Sequence, residues 1–163
     1  MSVFIILERG YSIENTFSDS HGSSRCIREA LFMHREASAV IHLGDGERDL
    51  NGLDDLLEGK QLIQVCGNCD FASALSHNEL VTIGGVKIFC THGYAELVKH
   101  GTQTLYSKAR SLGACIALYG HTHESVTDYS DGLYVMNPGA AKYGEYGAID
   151  ITPSGIMLLK MKL

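Results

Sequence analysis

The chain has 163 residues, of which 45% are hydrophobic and 20% charged, and its formal net charge is -6 at pH 7. This length suits one domain with a sizeable core, so we expect a single domain over residues 1–163. An acidic chain without a Lys/Arg cluster is a poor candidate for tracking a nucleic-acid backbone or an anionic membrane surface. Holding a phosphate would therefore require something other than basic side chains, such as a divalent metal.

The N-terminal residues 1–7 are apolar but too few to span a membrane, and they lack the basic start and small-residue cleavage site of a secretory signal. We therefore expect a cytoplasmic protein. The chain has five cysteines, an odd number that argues against a disulfide framework. We expect most of these thiols to be reduced.

The start of the chain allows two interpretations. Residues 3–7 are typical of a buried strand, but a polar stretch separates them from Asp19 and His21. Either the strand that leads to Asp19 is the poorly apolar segment 12–17, or an insertion separates the first strand from that site. In the first case, residues 3–7 form an additional strand or an arm. We treat residues 1–16 as an atypical N-terminal segment.

The rest of the chain first alternates helices and strands and then becomes a run of hairpins. Apolar periodicity predicts helices over 23–37, 49–58 and 102–112, and strands over 39–43, 61–65 and 115–119. Turns that contain glycine predict three hairpins, with strands over 80–83 and 86–90, 125–129 and 133–136, and 147–152 and 156–162. This mixture predicts an α/β sandwich whose mixed sheets carry helices on the outside.

Five predicted strand ends carry side chains that can bind metals, each close to glycine. They are Asp19 with His21, Asp45, Asn68, His92, and His121 with His123. Taken alone, the last pair fits a polar turn with solvated histidines as well as it fits a metal site. However, ligand sites of open α/β sheets lie outside the carboxyl ends of the strands, so we expect all five turns to converge. Imidazole is the commonest metal ligand, and the set therefore indicates a metal centre.

This ordered set resembles the calcineurin-like metallophosphoesterase superfamily, whose pattern is Asp-x-His, Gly-Asp, Gly-Asn, His and Gly-His-x-His. The resemblance extends from about Phe17 to the C-terminus, and every motif is present. The short chain and the sequence Gly67-Asn68-Cys69-Asp70 are similar to the compact bacterial and archaeal phosphodiesterases of that superfamily. The resemblance implies a four-layer α/β/β/α sandwich of two mixed sheets flanked by helices.

The resemblance also implies two divalent metals. Asp19, His21 and His123 would hold the first, Asn68, His92 and His121 the second, and Asp45 would bridge them. Mixed nitrogen and oxygen ligands suit Mn²⁺, which we expect, or Ni²⁺, Fe or Zn²⁺. The implied activity is that of a phosphodiesterase that hydrolyses P–O bonds by in-line attack of a hydroxide bridging the two metals. Its substrate would be a small phosphate ester or a nucleotide, and its catalytic residues would be Asp45, Asn68, Cys69 and His92.

Cys69 departs from the family pattern, since many members have a histidine there that positions the phosphate or protonates the leaving group. A thiol is a poorer general acid than imidazolium, so we expect phosphodiesters with good leaving groups to be better substrates than alkyl phosphomonoesters. Cys66 and Cys69 also form a Cys-x-x-Cys pair, for which a redox dithiol is the alternative interpretation.

The other histidines are not predicted to bind metal. We expect His42 to be packed behind the site, His34 to lie far from it, and His77 and His100 to be solvated. The alternative function is a non-catalytic protein-interaction scaffold on the same fold, as in the retromer subunit, although such proteins typically lack one or more of these seven ligands. Residues 1–7 and the final strand are candidates for edge pairing in a homo-oligomer.

Overall fold

The computed structural model describes residues 12–163, which form two five-stranded mixed sheets. The first has the strand order β10-β9-β1-β2-β3 and consists of β1 (Ser12–Phe17), β2 (Ala39–His42), β3 (Gln61–Gln64), β9 (Glu145–Thr152) and β10 (Gly155–Lys162). The second has the order β4-β5-β6-β8-β7 and consists of β4 (Asn78–Ile83), β5 (Val86–Thr91), β6 (Ile116–Leu118), β7 (Ser125–Ser130) and β8 (Leu133–Pro138). All three predicted hairpins are present, as β4-β5, β7-β8 and β9-β10.

Three apolar clusters separate four layers. Ile41 and Ile149 of the first sheet pack with Ile88 and Leu118 of the second, which forms the core between the sheets. Helix α1 (Arg25–Met33) covers the outer face of the first sheet through Ile27 and Leu31, which pack with Phe17 and Val40. Helix α3 (Gln103–Ser111) covers the second sheet through Leu105 and Ala109, beside Phe89 and Ala117. The four-layer α/β/β/α sandwich is confirmed.

The predicted helix over 49–58 is wrong, since this segment forms two short helices. A 3-10 helix spans Glu47–Leu50, and α2 spans Asp54–Leu57. Between them Asn51 is extended and Gly52 has a φ of 76°, neither of which continues a helix. Leu50 and Leu53 are still buried, as the apolar spacing predicted.

Strand β1 resolves the two interpretations of the N-terminus in favour of the segment 12–17. It lies in the middle of the first sheet, parallel to β2 and antiparallel to β9, although its buried residues include Glu14, Asn15 and Thr16. The predicted strand over 3–7 lies outside the described residues. Because β1 leads directly to Asp19, no insertion separates this central strand from the predicted site.

The parallel strands bring the predicted ligands to one end of the sandwich. β1, β2 and β3 are parallel in the first sheet, as are β5 and β6 in the second. Parallel strands place their carboxyl ends at the same edge of a sheet. No helix within residues 12–163 has the length and apolar character that a membrane span requires.

Candidate metal centre

Backbone hydrogen bonds join the turns that carry the predicted ligands. The N–H of Asp19 donates to the Gly44 carbonyl over 3.0 Å, and the N–H of His21 donates to the Asp45 carbonyl over 2.9 Å. Within the second sheet, the N–H of Gly120, which follows β6, donates to the carbonyl of His92, which follows β5, over 3.0 Å. The structure therefore brings the predicted turns together in one place.

The first ligand group contains Asp19, His21 and His123, whose candidate ligand atoms all lie within 4.8 Å of one another. The Nε2 atoms of His21 and His123 are 3.2 Å apart, and His123 Nε2 is 3.1 Å from Asp19 Oδ1. Asp19 Oδ2 accepts hydrogen bonds from Ser18 Oγ and the His121 N–H, whereas the buried Oδ1 has no hydrogen-bond partner among residues 12–163. Leaving a buried carboxylate oxygen without a hydrogen bond is costly, and a cation between this oxygen and the two imidazoles would compensate it.

The second group contains Asp45, His92 and His121, again with ligand atoms within 4.8 Å. His92 Nδ1 is 2.7 Å from the Leu43 carbonyl, a contact that directs Nε2 toward the group. His92 Nε2 lies 3.4 Å from Asp45 Oδ2 and 3.1 Å from Asn68 Oδ1, so the amide joins the same cluster. The ligands expected for a second metal are therefore gathered around one point.

Asp45 lies between the two groups. Its Oδ2 is 3.9 Å from His21 Nε2 and 3.4 Å from His92 Nε2, one imidazole from each group. Burial opposes ionisation of this carboxyl, but the His92 imidazole and the Cys69 N–H outweigh it and lower the pKa of Asp45 below its usual range. Asp45 is thus an ionised acceptor placed where a bridging ligand is expected.

The ligand turns adopt unusual backbone conformations. Asp19, His21, Asp45, His121 and His123 all have φ between 44° and 68°. Non-glycine residues rarely adopt such values, and where they do the surrounding structure must hold them. Their concentration at one site is typical of a functional centre rather than of ordinary turns.

Asp70 holds two of these turns in place, a role that the sequence analysis did not identify. Its Oδ2 accepts the N–H groups of Asp45 and Gly67 at 2.7 and 2.8 Å, and its Oδ1 accepts those of Gly46 and Glu47 at 2.9 and 3.1 Å. Burial acts against ionisation, but these four donors together lower the pKa of Asp70. The one sequence signal is that an acidic residue closely follows Asn68.

Asn137 plays a similar role for the His-Thr-His turn. Its buried Nδ2 donates to the Gly120 carbonyl over 3.0 Å and to Thr122 Oγ1 over 2.9 Å, while its Oδ1 accepts the Gly139 N–H. Gly120 itself has no room for a side chain, because a Cβ there would overlap Ser18 Oγ. The sequence did not predict this role of Asn137.

The remaining histidines lie outside the ligand groups. His42 is fully buried, with its Nε2 3.0 Å from Ser20 Oγ, and burial lowers its pKa to about 4, so it is neutral and packed behind the site as expected. His77 and His100 are exposed, but His77 Nδ1 is 3.3 Å from Cys66 Sγ, a contact the sequence did not predict. His34 contacts the Tyr146 hydroxyl at the end of α1.

Cys69 lies beside the candidate ligands. Its N–H donates to Asp45 Oδ1 over 2.7 Å, and its Sγ falls in a third potential ligand group with His21 and Asp45. Burial and the neighbouring Asp45 raise the pKa of the Cys69 thiol, so it is neutral in the absence of a metal. Cys66 and Cys69 are both free thiols.

The donor set fits two divalent cations. Carboxylate oxygens, an amide oxygen and imidazole nitrogens together suit first-row divalent transition metals better than they suit Ca²⁺ or Mg²⁺. Asp19 Oδ1, which accepts no hydrogen bond, and the facing imidazoles of His21 and His123 are the features that a cation would satisfy. The residues present therefore match the chemistry that the sequence implies.

Comparison with known proteins identifies the family. Residues 15–156 match the calcineurin-like phosphoesterase superfamily domain. A probable metallophosphoesterase of Bacillus subtilis is 33% identical over 126 residues, which cover 77% of this chain and 72% of that protein. A phosphodiesterase of Methanocaldococcus jannaschii is 28% identical over 138 residues, which cover 75% of this chain and 80% of that protein. The structure of vacuolar protein sorting 29 from Cryptosporidium parvum has a TM-score of 0.75 at 18% identity, covering 94% of this chain and 98% of that one. The chain therefore belongs to the calcineurin-like metallophosphoesterase superfamily.

Proposed function

We propose that this protein is a phosphodiesterase that hydrolyses P–O bonds with two divalent cations, of which Mn²⁺ is the expected metal. The observation that carries the proposal is the pair of adjoining ligand groups with Asp45 between them. The relative from Methanocaldococcus jannaschii, named as a phosphodiesterase, supports the choice of reaction.

The ligands divide between the two sites. Asp19, His21 and His123 would hold one cation and Asn68, His92 and His121 the other, with Asp45 shared. Two such cations would supply Lewis acidity to the phosphate oxygens and lower the pKa of a water molecule. This compensates for the acidic character of the chain, which has no basic cluster to bind an anionic substrate.

Two exposed groups would also position the substrate, the Cys69 thiol and the amide nitrogen of the proposed ligand Asn68. The Asn68 amide and the Cys69 thiol are both exposed beside the ligands and 3.4 Å apart, so either can face a bound phosphate. A neutral thiol donates a hydrogen bond weakly and protonates a leaving group poorly. The proposal therefore favours diesters whose leaving group departs without a proton.

The experiment is Mn²⁺-dependent hydrolysis of bis-p-nitrophenyl phosphate by the wild type and by Asp45→Asn. Loss of the bridging charge should reduce kcat/KM by at least about a hundredfold, because the Lewis-acid contribution amounts to several kcal/mol. Asp55→Asn is the control, since Asp55 is an exposed carboxylate on α2, and it should leave the rate unchanged. Undiminished hydrolysis by Asp45→Asn would rule out this mechanism.

A protein-interaction scaffold, as in the retromer subunit, is the second candidate function. It is favoured by the fold likeness to vacuolar protein sorting 29, at a TM-score of 0.75. The intact set of seven ligand-type residues argues for the enzyme instead. Protein that binds Mn²⁺ at both sites yet hydrolyses no phosphodiester would favour the scaffold.

A further inference from the structure

A cavity of about 580 Å³ opens directly onto the candidate metal centre. It lies between the loop that follows β3 and the loop that follows β5, and its lining includes Asn68 and His92, two of the proposed ligands. Its volume is within the range of small-molecule sites. A phosphate held at the metal centre would therefore have this cavity next to one of its ester substituents.

Two exposed aromatic rings line the cavity. Phe71 is 80% exposed and Tyr94 is 60% exposed. The Tyr94 ring meets the His121 ring edge to face, with centroids 5.5 Å apart, which places it beside a proposed ligand. Two large aromatic side chains exposed in one cavity beside a polar centre are typical of a binding surface.

Phe71 differs from the other exposed aromatic residues of the described chain. The Phe32 ring is covered by the Arg35 guanidinium, whose carbon is 4.7 Å from the ring centroid, and the Tyr129 ring packs on Tyr134 at 4.7 Å. Phe71 has no ring or cation partner within residues 12–163. Its face is thus available to a planar ligand.

Several polar groups around this cavity are already engaged. Both oxygens of Asp70 accept backbone N–H groups, and Thr91 Oγ1 donates to Glu96 Oε2 over 2.8 Å. His77 contacts Cys66 Sγ through Nδ1. The cavity consequently offers aromatic faces more readily than hydrogen bonds.

A second cavity, of about 400 Å³, is also lined by Phe71 and has a different character. Its lining includes Arg48, Asp49 and Glu47, so it is charged and polar. The metal centre therefore has one aromatic and one polar compartment, with Phe71 shared by both. The two substituents of a diester would meet unlike surroundings.

We infer that the 580 Å³ cavity binds the planar aromatic substituent of the phosphoester, an aryl group or a nucleobase, against Phe71 and Tyr94. The inference rests on the proposed function, since it assumes that the phosphate lies at the metal centre. Stacking one base on an aromatic side chain is worth roughly a tenfold gain in affinity or more. An ester with an aromatic substituent should therefore bind more tightly than a methyl ester by at least about that factor.

The test is calorimetric titration of the Mn²⁺-loaded protein with phenylphosphonate and with methylphosphonate, which share the anionic group and differ only in the substituent. We expect phenylphosphonate to bind roughly tenfold more tightly to the wild type. Phe71→Ala or Tyr94→Leu should remove most of this difference. The matched control is Phe32→Ala, which removes a similarly exposed ring on α1 and should keep the difference.

The outcomes separate the inference from the proposed function. If the protein hydrolyses bis-p-nitrophenyl phosphate but binds the two phosphonates equally, the inference is overturned and the proposed function stands. The same holds if both Phe71→Ala and Tyr94→Leu still bind phenylphosphonate more tightly than methylphosphonate. Failure to bind either phosphonate, together with no hydrolysis, overturns the proposed function. Thermal unfolding checks the variants, and Phe71→Ala should keep the wild-type Tm because its ring is 80% exposed.

Discussion

Asp70→Asn should loosen two of the metal-binding turns without removing a ligand. The carboxylate of Asp70 accepts four backbone N–H groups, those of Asp45 and Gly67 on one oxygen and those of Gly46 and Glu47 on the other. An amide has only one oxygen, and its NH₂ group cannot accept a hydrogen bond. Whichever way the Asn side chain turns, two of the four N–H groups lose their acceptor.

The expected loss of stability is about 3 kcal/mol, because hydrogen bonds to a charged acceptor contribute about 1.5–3 kcal/mol each and two are lost. The lower end of the range for each hydrogen bond applies, because Asp70 is only partly buried and water can replace some of the lost contacts. For a chain of this length, 3 kcal/mol corresponds to a fall in Tm of about 6–12 °C. Because Asp45 lies in one of the two turns that would loosen, the affinity for Mn²⁺ should fall as well.

The assay is urea unfolding of wild type and Asp70→Asn in the presence of EDTA, with Asp55→Asn as the control of equal charge change. The folded-state pKa of Asp70 is lowered, so its contribution is present above the ordinary carboxyl pKa and is lost as the pH falls through the folded-state value. The wild type and Asp70→Asn should therefore differ at pH 7 and converge in acid. A difference below about 1 kcal/mol at pH 7 would refute the positioning role of Asp70.

Three further predictions concern other parts of the molecule. Burial raises the pKa of Glu14 to about 7 from 4.5, so the wild type should lose stability, of the order of 2 kcal/mol, as the pH rises from 4.5 through 7. The free energy of unfolding of the wild type should be lower at pH 8.5 than at pH 5.5, whereas that of Glu14→Gln should not show this loss. Parallel pH profiles for the two proteins would contradict the prediction. Cys69→His should raise kcat/KM for an alkyl phosphomonoester relative to bis-p-nitrophenyl phosphate by at least about tenfold, since imidazolium is a better acid; an unchanged ratio would count against a role for this position. His121→Ala and His123→Ala should each weaken a different Mn²⁺ site in a binding isotherm, and identical isotherms would contradict the division of ligands.

Much of the fold could be predicted because its elements have clear local signals. The apolar spacing of Ile27 and Leu31 indicated α1, and Gly84-Gly85 indicated the hairpin of β4 and β5. The metal centre could be predicted because its ligands follow strand ends in an ordered set of short motifs. Parallel pairing then brings those ends together, as expected for open α/β sheets.

Strand β1 was harder to predict because its location depends on tertiary pairing rather than on its own composition. Glu14 and Thr16 are paired with residues of the core between the sheets, and Asn15 is paired with Val40 of the opposite face. A segment with three buried polar residues has a weak strand signal. It is held in the sheet by β2 on one side and β9 on the other.

The supporting residues of the site could not be predicted, since their partners are distant in the sequence. Asp70 acts on Asp45 from 25 residues away, and Asn137 acts on Gly120 from 17 residues away. The pairing of Phe71 with Tyr94 around one cavity likewise depends on how two loops meet. Residue type alone contains no information on such contacts.

The central claim is that two adjoining groups of side chains each bind a divalent cation. Its most direct test is metal analysis of the protein after saturation with Mn²⁺ and removal of the excess. We expect two equivalents of Mn²⁺ per chain for the wild type. One equivalent or none would contradict it.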